Sequence, residues 1–352
     1  MVTVALDVLG GDNAPASNID GALLALKKSK DIRILLFGPE GVIREELKKR
    51  GAEAGDRLGI VDAPEFISQE DHPVSAIQAK KESSMVKGLM AVKNGEADAF
   101  LSAGSSGAIL AGGQLKLGRI KGALRTPLAT VIPTAKGASL LLDCGANVDA
   151  RAEWMCQFAR MGDIYAKKLM GIKSPSVKLV NIGTEDEKGN ALVKAVKPMI
   201  EAMEDINYQG YIESREIPAG AADVIVTDAW TGNAMLKLYE GTASMLVKTI
   251  KKAITSDFKS KIGALLIKDK LKEQLKSFDA SQYGGAPLLG LKGLVVKCHG
   301  NAKAAEISNG LIQCETFVNA GINEELSAAL QKDNELFKQM KEEKEAAAGQ
   351  SE

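Results

Sequence analysis

Apolar residues arrive along this chain in short runs that alternate with longer, helically spaced patterns. Val2–Leu6 reads as a buried strand, and Ile19, Leu23, Leu24 and Leu26 then recur at helical spacing. Ile32–Phe37 predicts a second strand, Val42–Lys49 a helix and Leu58–Val61 a third strand. A polar segment at 80–84 opens a helix containing Met85, Leu89 and Val92, and Ala99–Leu101 predicts the next strand. Leu128–Ile132 and Ser139–Leu142 predict two more, followed by a helix over about 152–170. Strands then fall at Val177–Val180, near 206–211 and at Asp223–Val226; a long helical region covers 234–277; and Gly293–Lys297 is the last strand. Two helices close the chain, the final one fading into a charged, alanine-rich stretch at 342–352 that is expected to fray. This alternation predicts a three-layer α/β/α architecture with a largely parallel mixed sheet. Crossings near 120–127 and 279–290 suggest two subdomains around a cleft: 1–125 with 290–352, and 126–289 carrying a protruding helical hairpin at about 234–277.

Five strand ends share one grammar. Gly with Asp, Asn or Ser follows the apolar run at 7–13, 102–107, 143–149, 181–190 and 228–233. At Ser102-Ala103-Gly104-Ser105-Ser106-Gly107 a strand gives way to a helix start, where unpaired amides and the helix dipole suit an oxyanion. One such turn reads as an ordinary capped crossover, since Gly, Asn and Asp are what turns use. Five of them, at the carboxyl ends of strands that line the ligand crevice of an α/β sheet, point to one polar site.

Charge narrows the partners. Lys plus Arg and Asp plus Glu are both 45, so no global field favours nucleic acid. Four scattered cysteines show no metal-ligand spacing and read as reduced thiols of a cytoplasmic protein. Met1 leads directly into the strand-like Val2–Val8, so no leader peptide is expected, and no run of about 18 apolar residues could span a bilayer. No two glycines stand two apart, which removes the dinucleotide fingerprint, and no phosphate-loop motif GxxxxGK[ST] occurs. Two histidines, His72 and His299, cannot furnish a three-histidine metal site, and no metal is expected.

A serine nucleophile has to be weighed. Ala103-Gly104-Ser105-Ser106-Gly107 approximates a strand-to-helix elbow, and Asp228 and His299 follow in the order Ser, Asp, His, although the first glycine of GxSxG is missing. His299, between Cys298 and Gly300 at a strand end, suits either a proton donor or a simple capping residue.

Several of these segments together resemble a known family. Ala5-Leu6-Asp7 with Gly10-Gly11-Asp12, Ser102-Ala103-Gly104 with Gly107-Ala108, and Asp143 with Gly145-Ala146-Asn147 are similar to bacterial phosphate acyltransferases of the PlsX type. So are Asn181-Ile182-Gly183 with Lys188-Gly189, Asp228 with Gly232-Asn233, and Tyr283-Gly284-Gly285-Ala286-Pro287-Leu288-Leu289-Gly290. The resemblance is collinear from about residue 2 to 320. It implies a fold like isopropylmalate dehydrogenase, a homodimer, and transfer of a fatty acyl group from acyl carrier protein to inorganic phosphate for phospholipid synthesis. Ser105-Ser106 stand where the family has Asn-Thr, so a seryl-enzyme is not needed: phosphate can attack the thioester itself. A serine-nucleophile α/β hydrolase or acyltransferase using Ser105, and a dehydrogenase of the same fold, are the alternatives.

On that reading the helix start at Gly104–Gly107, including Ser105 and Ser106, holds phosphate, with Lys188 and Asn147 as further ligands and Ser102 beside them. Asn233 and the amides around Gly232 serve the tetrahedral oxyanion, and His299 is the candidate acid. Asp12 and Asp228 orient donors, and no cofactor is called for. Lys188 stands beside Glu185, Asp186 and Glu187, so a solvated loop charge is its plain alternative. From Lys248 to Phe278 nine lysines outnumber three acids, with Phe258, Ile262, Leu265, Leu266, Ile267 and Leu271 interleaved. Packing on the protein's own core or on a second copy would explain such a pattern. The apolar patch after Gly263, flanked by Lys261 and Lys268, instead reads as a helix–helix tip for an anionic membrane surface or acidic carrier protein.

Overall fold

The computed structural model describes residues 1–276 and 284–349. Short apolar runs become strands buried on both faces, as parallel sheets covered by helices require. The chain opens β1 (Val2–Asp7), α1 (Ala16–Lys28), β2 (Ile32–Gly38), α2 (Glu40–Lys49) and β3 (Leu58–Asp62). It continues α3 (Pro73–Ala79), α4 (Ser84–Lys93), β4 (Ala99–Ser102) and α5 (Ser106–Gly112), the last running into one π-helical turn at Gly113–Leu117. Then come β5 (Thr130–Thr134), β6 (Gly137–Leu142), α6 (Ala152–Leu169), β7 (Val177–Val180), α7 (Ala191–Glu201), β8 (Tyr208–Ile212) and β9 (Val224–Val226). α8 (Ala229–Ile254), α9 (Phe258–Lys276), β10 (Ala286–Pro287), β11 (Leu294–Lys297), α10 (Ala304–Ala320) and α11 (Ile322–Gly349) complete it.

The strands form two sheets. The first has the order β10-β11-β4-β1-β2-β3 and the second β5-β6-β9-β7-β8. Only β10 and β5 run antiparallel to their neighbours. Isolated bridges Leu128–Leu288 and Arg119–Leu291 tie the sheets together, and the Ala129 amide donates to the Pro287 carbonyl. Leu128, expected to start a strand, therefore belongs to the seam between the sheets, and β5 begins two residues later.

The second core is organised on α6, whose residues from Met155 to Ala166 are all buried. α11 closes that core with Leu326, Leu330 and Phe337. Its buried Asp333 takes two hydrogen bonds from Arg160, at 3.0 and 2.9 Å, and Arg160 turns its other nitrogen to Asp205 at 2.9 Å while sharing Nη2 with it at 2.7 Å. Burial opposes the Arg160 charge, but Asp333 and Asp205 outweigh it and raise its pKa.

Two expectations are corrected. The turn between α8 and α9 lies at Thr255–Asp257, not at Gly263, which sits inside α9. Asp257 makes that turn by accepting the Ser260 amide at 2.9 Å and the Ser260 hydroxyl at 2.8 Å. The tail expected to fray continues helical to Gly349, with Lys338–Glu342 and Lys341–Glu345 pairs along it. Tyr283 and Phe278 lie outside the described residues.

Candidate active site

β11, β4 and β1 lie side by side and end together. The register pairs Lys297 with Ser102 and Leu101 with Leu6, which sets Asp7 next to Ser102. Strand alternation puts Ala5, Phe100 and Val295 into one core cluster, so Asp7, Ser102 and Lys297 form a row on that same face. Asp7 is buried and fully engaged: Ser84 Oγ donates at 2.6 Å, Ser102 Oγ at 2.7 Å and the Leu9 amide at 3.2 Å. Burial raises its pKa, and these donors pull against the rise. Ser102 Oγ accepts the Gly104 amide at 3.0 Å, so the hydroxyl shapes the 102–107 turn from within.

The neighbouring turns pack tightly on it. Gly11 has φ +99°, and a Cβ there would come within 2.9 Å of Ala103 and the Gly300 carbonyl. The Asp12 amide donates to Gly300 O at 2.7 Å, leaving the Asp12 side chain exposed at the rim. Asn13 Nδ2 reaches the Asn301 carbonyl at 2.9 Å. Two of the five glycine turns, 7–13 and 102–107, thus form one surface with the Gly300 turn that follows β11. Ser105 is buried without capping α5, whereas Ser106 is exposed at its first position.

The second sheet ends in an equally organised edge. Buried Asp143 accepts the amides of Leu128, Gly145 and Ala146 at 3.0 Å each through Oδ1. Its Oδ2 accepts the Asn147 amide at 2.9 Å and Asn147 Nδ2 at 2.7 Å. Burial raises the Asp143 pKa against these five bonds. Asn147 also donates to Thr126 O at 3.0 Å, so its side chain holds the turn. α8 starts directly on this turn. Ala229 N donates to Asn147 O at 3.1 Å, and Asp228 caps the helix by accepting Thr231 N at 2.9 Å and Thr231 Oγ1 at 2.8 Å. Asn233, in the first turns of α8, is half-buried. Lys188 stands on the 181–190 turn, 48% exposed, and pairs with Glu185 at 2.8 Å, which raises its pKa.

α8 also runs past the first edge. His299 Nε2 lies 3.9 Å from Glu240 Oε2, which joins the end of β11 to α8. Lys297 beside it is half-buried, and its pKa is lowered by desolvation. Glu240 opposes that shift and Lys237 adds to it. Residue-type reasoning passed over Lys297 and Glu240. The one signal was a lysine closing an otherwise apolar strand, Leu294–Lys297. Among the described residues, no hydrogen bond links Ser105, His299 and Asp228 into a relay, and no group of three or more His, Cys, Asp and Glu side chains is arranged to hold a metal ion.

A sequence profile for the family described as "Fatty acid synthesis protein" matches residues 2–325. A phosphate acyltransferase from Clostridium beijerinckii is 43% identical over 332 residues, 94% of this chain and 99% of the relative. The chain belongs to this family of phosphate acyltransferases. A second family member, from Clostridium botulinum (strain ATCC 19397 / Type A), is 44% identical over 323 residues, 92% of this chain and 96% of the relative. The fold is shared more widely: a phosphotransacetylase from Streptococcus pyogenes superposes with a TM-score of 0.59 at 17% identity, covering 90% of this chain and 94% of that one. A branched-chain phosphotransacylase from Enterococcus faecalis gives 0.55 at 15%, covering 90% and 99%. Family membership makes the chain a transferase enzyme that moves acyl groups to phosphate in fatty-acid and lipid synthesis.

Proposed function

We propose that this enzyme takes a fatty acyl group from acyl carrier protein and delivers it to inorganic phosphate, giving acyl phosphate and free carrier protein. The observation that carries this reading is the 43% identity with a phosphate acyltransferase along 94% of the chain. The convergence of glycine turns at two sheet edges fits it. A phosphate oxygen attacks the thioester carbon, the carbonyl becomes an oxyanion, and collapse expels the thiolate. The thiolate is a good leaving group, so this route needs no cofactor.

Phosphate sits against the amides of Ser105, Ser106 and Gly107 at the start of α5, the Gly104 amide being held by Ser102 Oγ, and Lys188 closes over it once its solvent-exposed pair with Glu185 opens. Asn233 and the amides near Gly232 receive the oxyanion. His299 protonates the departing sulfur. Ser102 and Asn147 act through the turns they hold, Asp228 fixes the start of α8, and Asp12 orients donors at the rim.

Two surfaces serve large partners. The apolar face of α8, with exposed Leu238, Met245, Leu246 and Val247, fits a second copy of the chain. On α9, Leu265 is 73% and Leu266 81% exposed beside Ile262, with Lys261 and Lys268 around them, which fits a peripheral anionic membrane surface at the cytoplasmic side. The deciding experiment incubates the protein with acyl carrier protein carrying a fatty acyl thioester, with and without phosphate, and follows acyl phosphate by mass spectrometry. Product should require phosphate, and a fluorophosphonate probe should leave Ser105 unlabelled. Phosphate-independent hydrolysis with Ser105 labelled would hand the case to a serine nucleophile.

A further inference from the structure

We propose that Lys297 is a phosphate-binding residue of this enzyme, holding the attacking inorganic phosphate from the end of β11. The inference rests on the acyl-to-phosphate reading above and adds a ligand that the turn motifs do not contain.

Lys297 occupies an unusual position for a lysine. It is the last residue of a strand that lies inside the first sheet, between β10 and β4. Its side chain lies on the face that carries Val295, in the row with Ser102 and Asp7. Neither row neighbour pairs with it: Ser102 donates to Asp7, and Asp7 is engaged by Ser84 and Ser102 with no ion pair to Lys297. The groups facing Lys297 are Glu240 and Lys237 from α8, with Cys298 adjacent in the chain and His299 next along the same turn. The Cys298 thiol is pushed up to about 12 by burial and carries no charge at neutral pH. Glu240 has His299 nearer to hand, and Lys237 repels. The Lys297 ammonium forms no ion pair or side-chain hydrogen bond among the described residues. A half-buried ammonium that has lost part of its water and has no protein anion in contact is open to an anionic ligand.

The location says which ligand. Lys297 is in register with Ser102, so the chain leaving Ser102 towards Ser105 and the start of α5 departs directly beside it. An anion there meets a charge-assisted donor fixed to a central strand, not to a loop.

The test compares wild type with Lys297→Met and Lys297→Arg. Lys297→Met should raise the KM for phosphate about tenfold or more, leave the KM for the acyl donor within about twofold, and be partly rescued by Arg. In phosphate-free buffer its melting temperature should equal or exceed that of wild type, because a partly desolvated, unpaired charge has been removed. Phosphate should raise the wild-type melting temperature and should no longer raise that of the variant. An unchanged phosphate KM and an intact phosphate-induced shift would overturn the inference while leaving the reaction standing. An effect confined to the donor KM would overturn it too, assigning Lys297 to the phosphodiester of the carrier's prosthetic group. If wild type binds phosphate through Lys297 yet makes no acyl phosphate, the site stands and the reaction falls; if wild type does not bind phosphate at all, both fall.

Discussion

Replacing Gly232 by Ala tests whether the start of α8 sets the geometry of the chemistry. A Cβ on Gly232 would lie 1.9 Å from the Asp143 carbonyl oxygen and 3.0 Å from Thr227. Ordinary contact needs a separation larger by about 1.5 Å, and the obstructing atom is backbone, clamped on both sides of Asp143 by Thr227 O at 3.0 Å and by the five bonds to its carboxylate. The helix must therefore move rather than the turn. Its first turns carry Asp228 and Asn233, and displacing an oxyanion donor by about 1 Å costs on the order of a hundredfold in rate. Overpacking at a fixed contact costs a further ~1–3 kcal/mol of stability. The control is Gly241→Ala on the same helix, where nothing lies within 4 Å of the added methyl. There helix propensity alone acts, and stability should rise by ~0.5–1 kcal/mol with activity unchanged. Thermal melts and kcat for acyl phosphate formation decide it. A Gly232→Ala protein with wild-type kcat and melting temperature would show that the approach to Asp143 is not a constraint.

Arg160→Met should lower stability by ~3–5 kcal/mol, since Asp333 loses its cation while only 2% of its side chain is exposed; urea midpoints measure this, and pairing it with Asp333→Leu should restore most of the loss. A double variant no better than the single one would refute that account. Phosphate KM should climb at alkaline pH, beginning below 10.5, because burial lowers the Lys297 pKa and only the ammonium binds. The linked sign for stability follows: unfolded Lys297 holds its proton to higher pH than folded, so phosphate-free wild type should gain stability relative to Lys297→Met as pH rises towards 10.5. In flotation with anionic liposomes, wild type should rise with the vesicles and a Leu265→Glu/Leu266→Glu variant should stay behind while keeping its soluble activity; equal flotation of the two removes the membrane proposal.

Much of the architecture was legible because buried parallel strands announce themselves. Val177–Val180 begins and ends where its apolar run does, and the five glycine turns stand at the ends of β1, β4, β6, β7 and β9. The residue types at those turns were visible, but their engagement was not. Nothing in Asn147 or Ser102 as letters says that Asp143 and Asp7 already occupy them. The α8–α9 turn was misplaced because Gly263 drew attention from Asp257-Phe258-Lys259-Ser260, a capping pattern whose aspartate serves the amide three residues on. Lys297 passed unnoticed for a different reason: its burial is created by β10 and α8, and no local window shows that.

The order of strands in the first sheet bears on how the protein is made. β4 is complete once residue 102 has been synthesised, yet its outer neighbour β11 begins at Leu294. Throughout the intervening elongation the emerging chain carries an apolar strand, Ala99–Ser102, with one hydrogen-bonding edge unsatisfied. The second core waits as well, for Leu326, Leu330 and Phe337 of α11. Neither half can finish folding on the ribosome before nearly the whole chain has left it, so nascent enzyme depends on whatever shields that open edge, and ribosomes stalled in the last quarter of the message would release chains prone to aggregate.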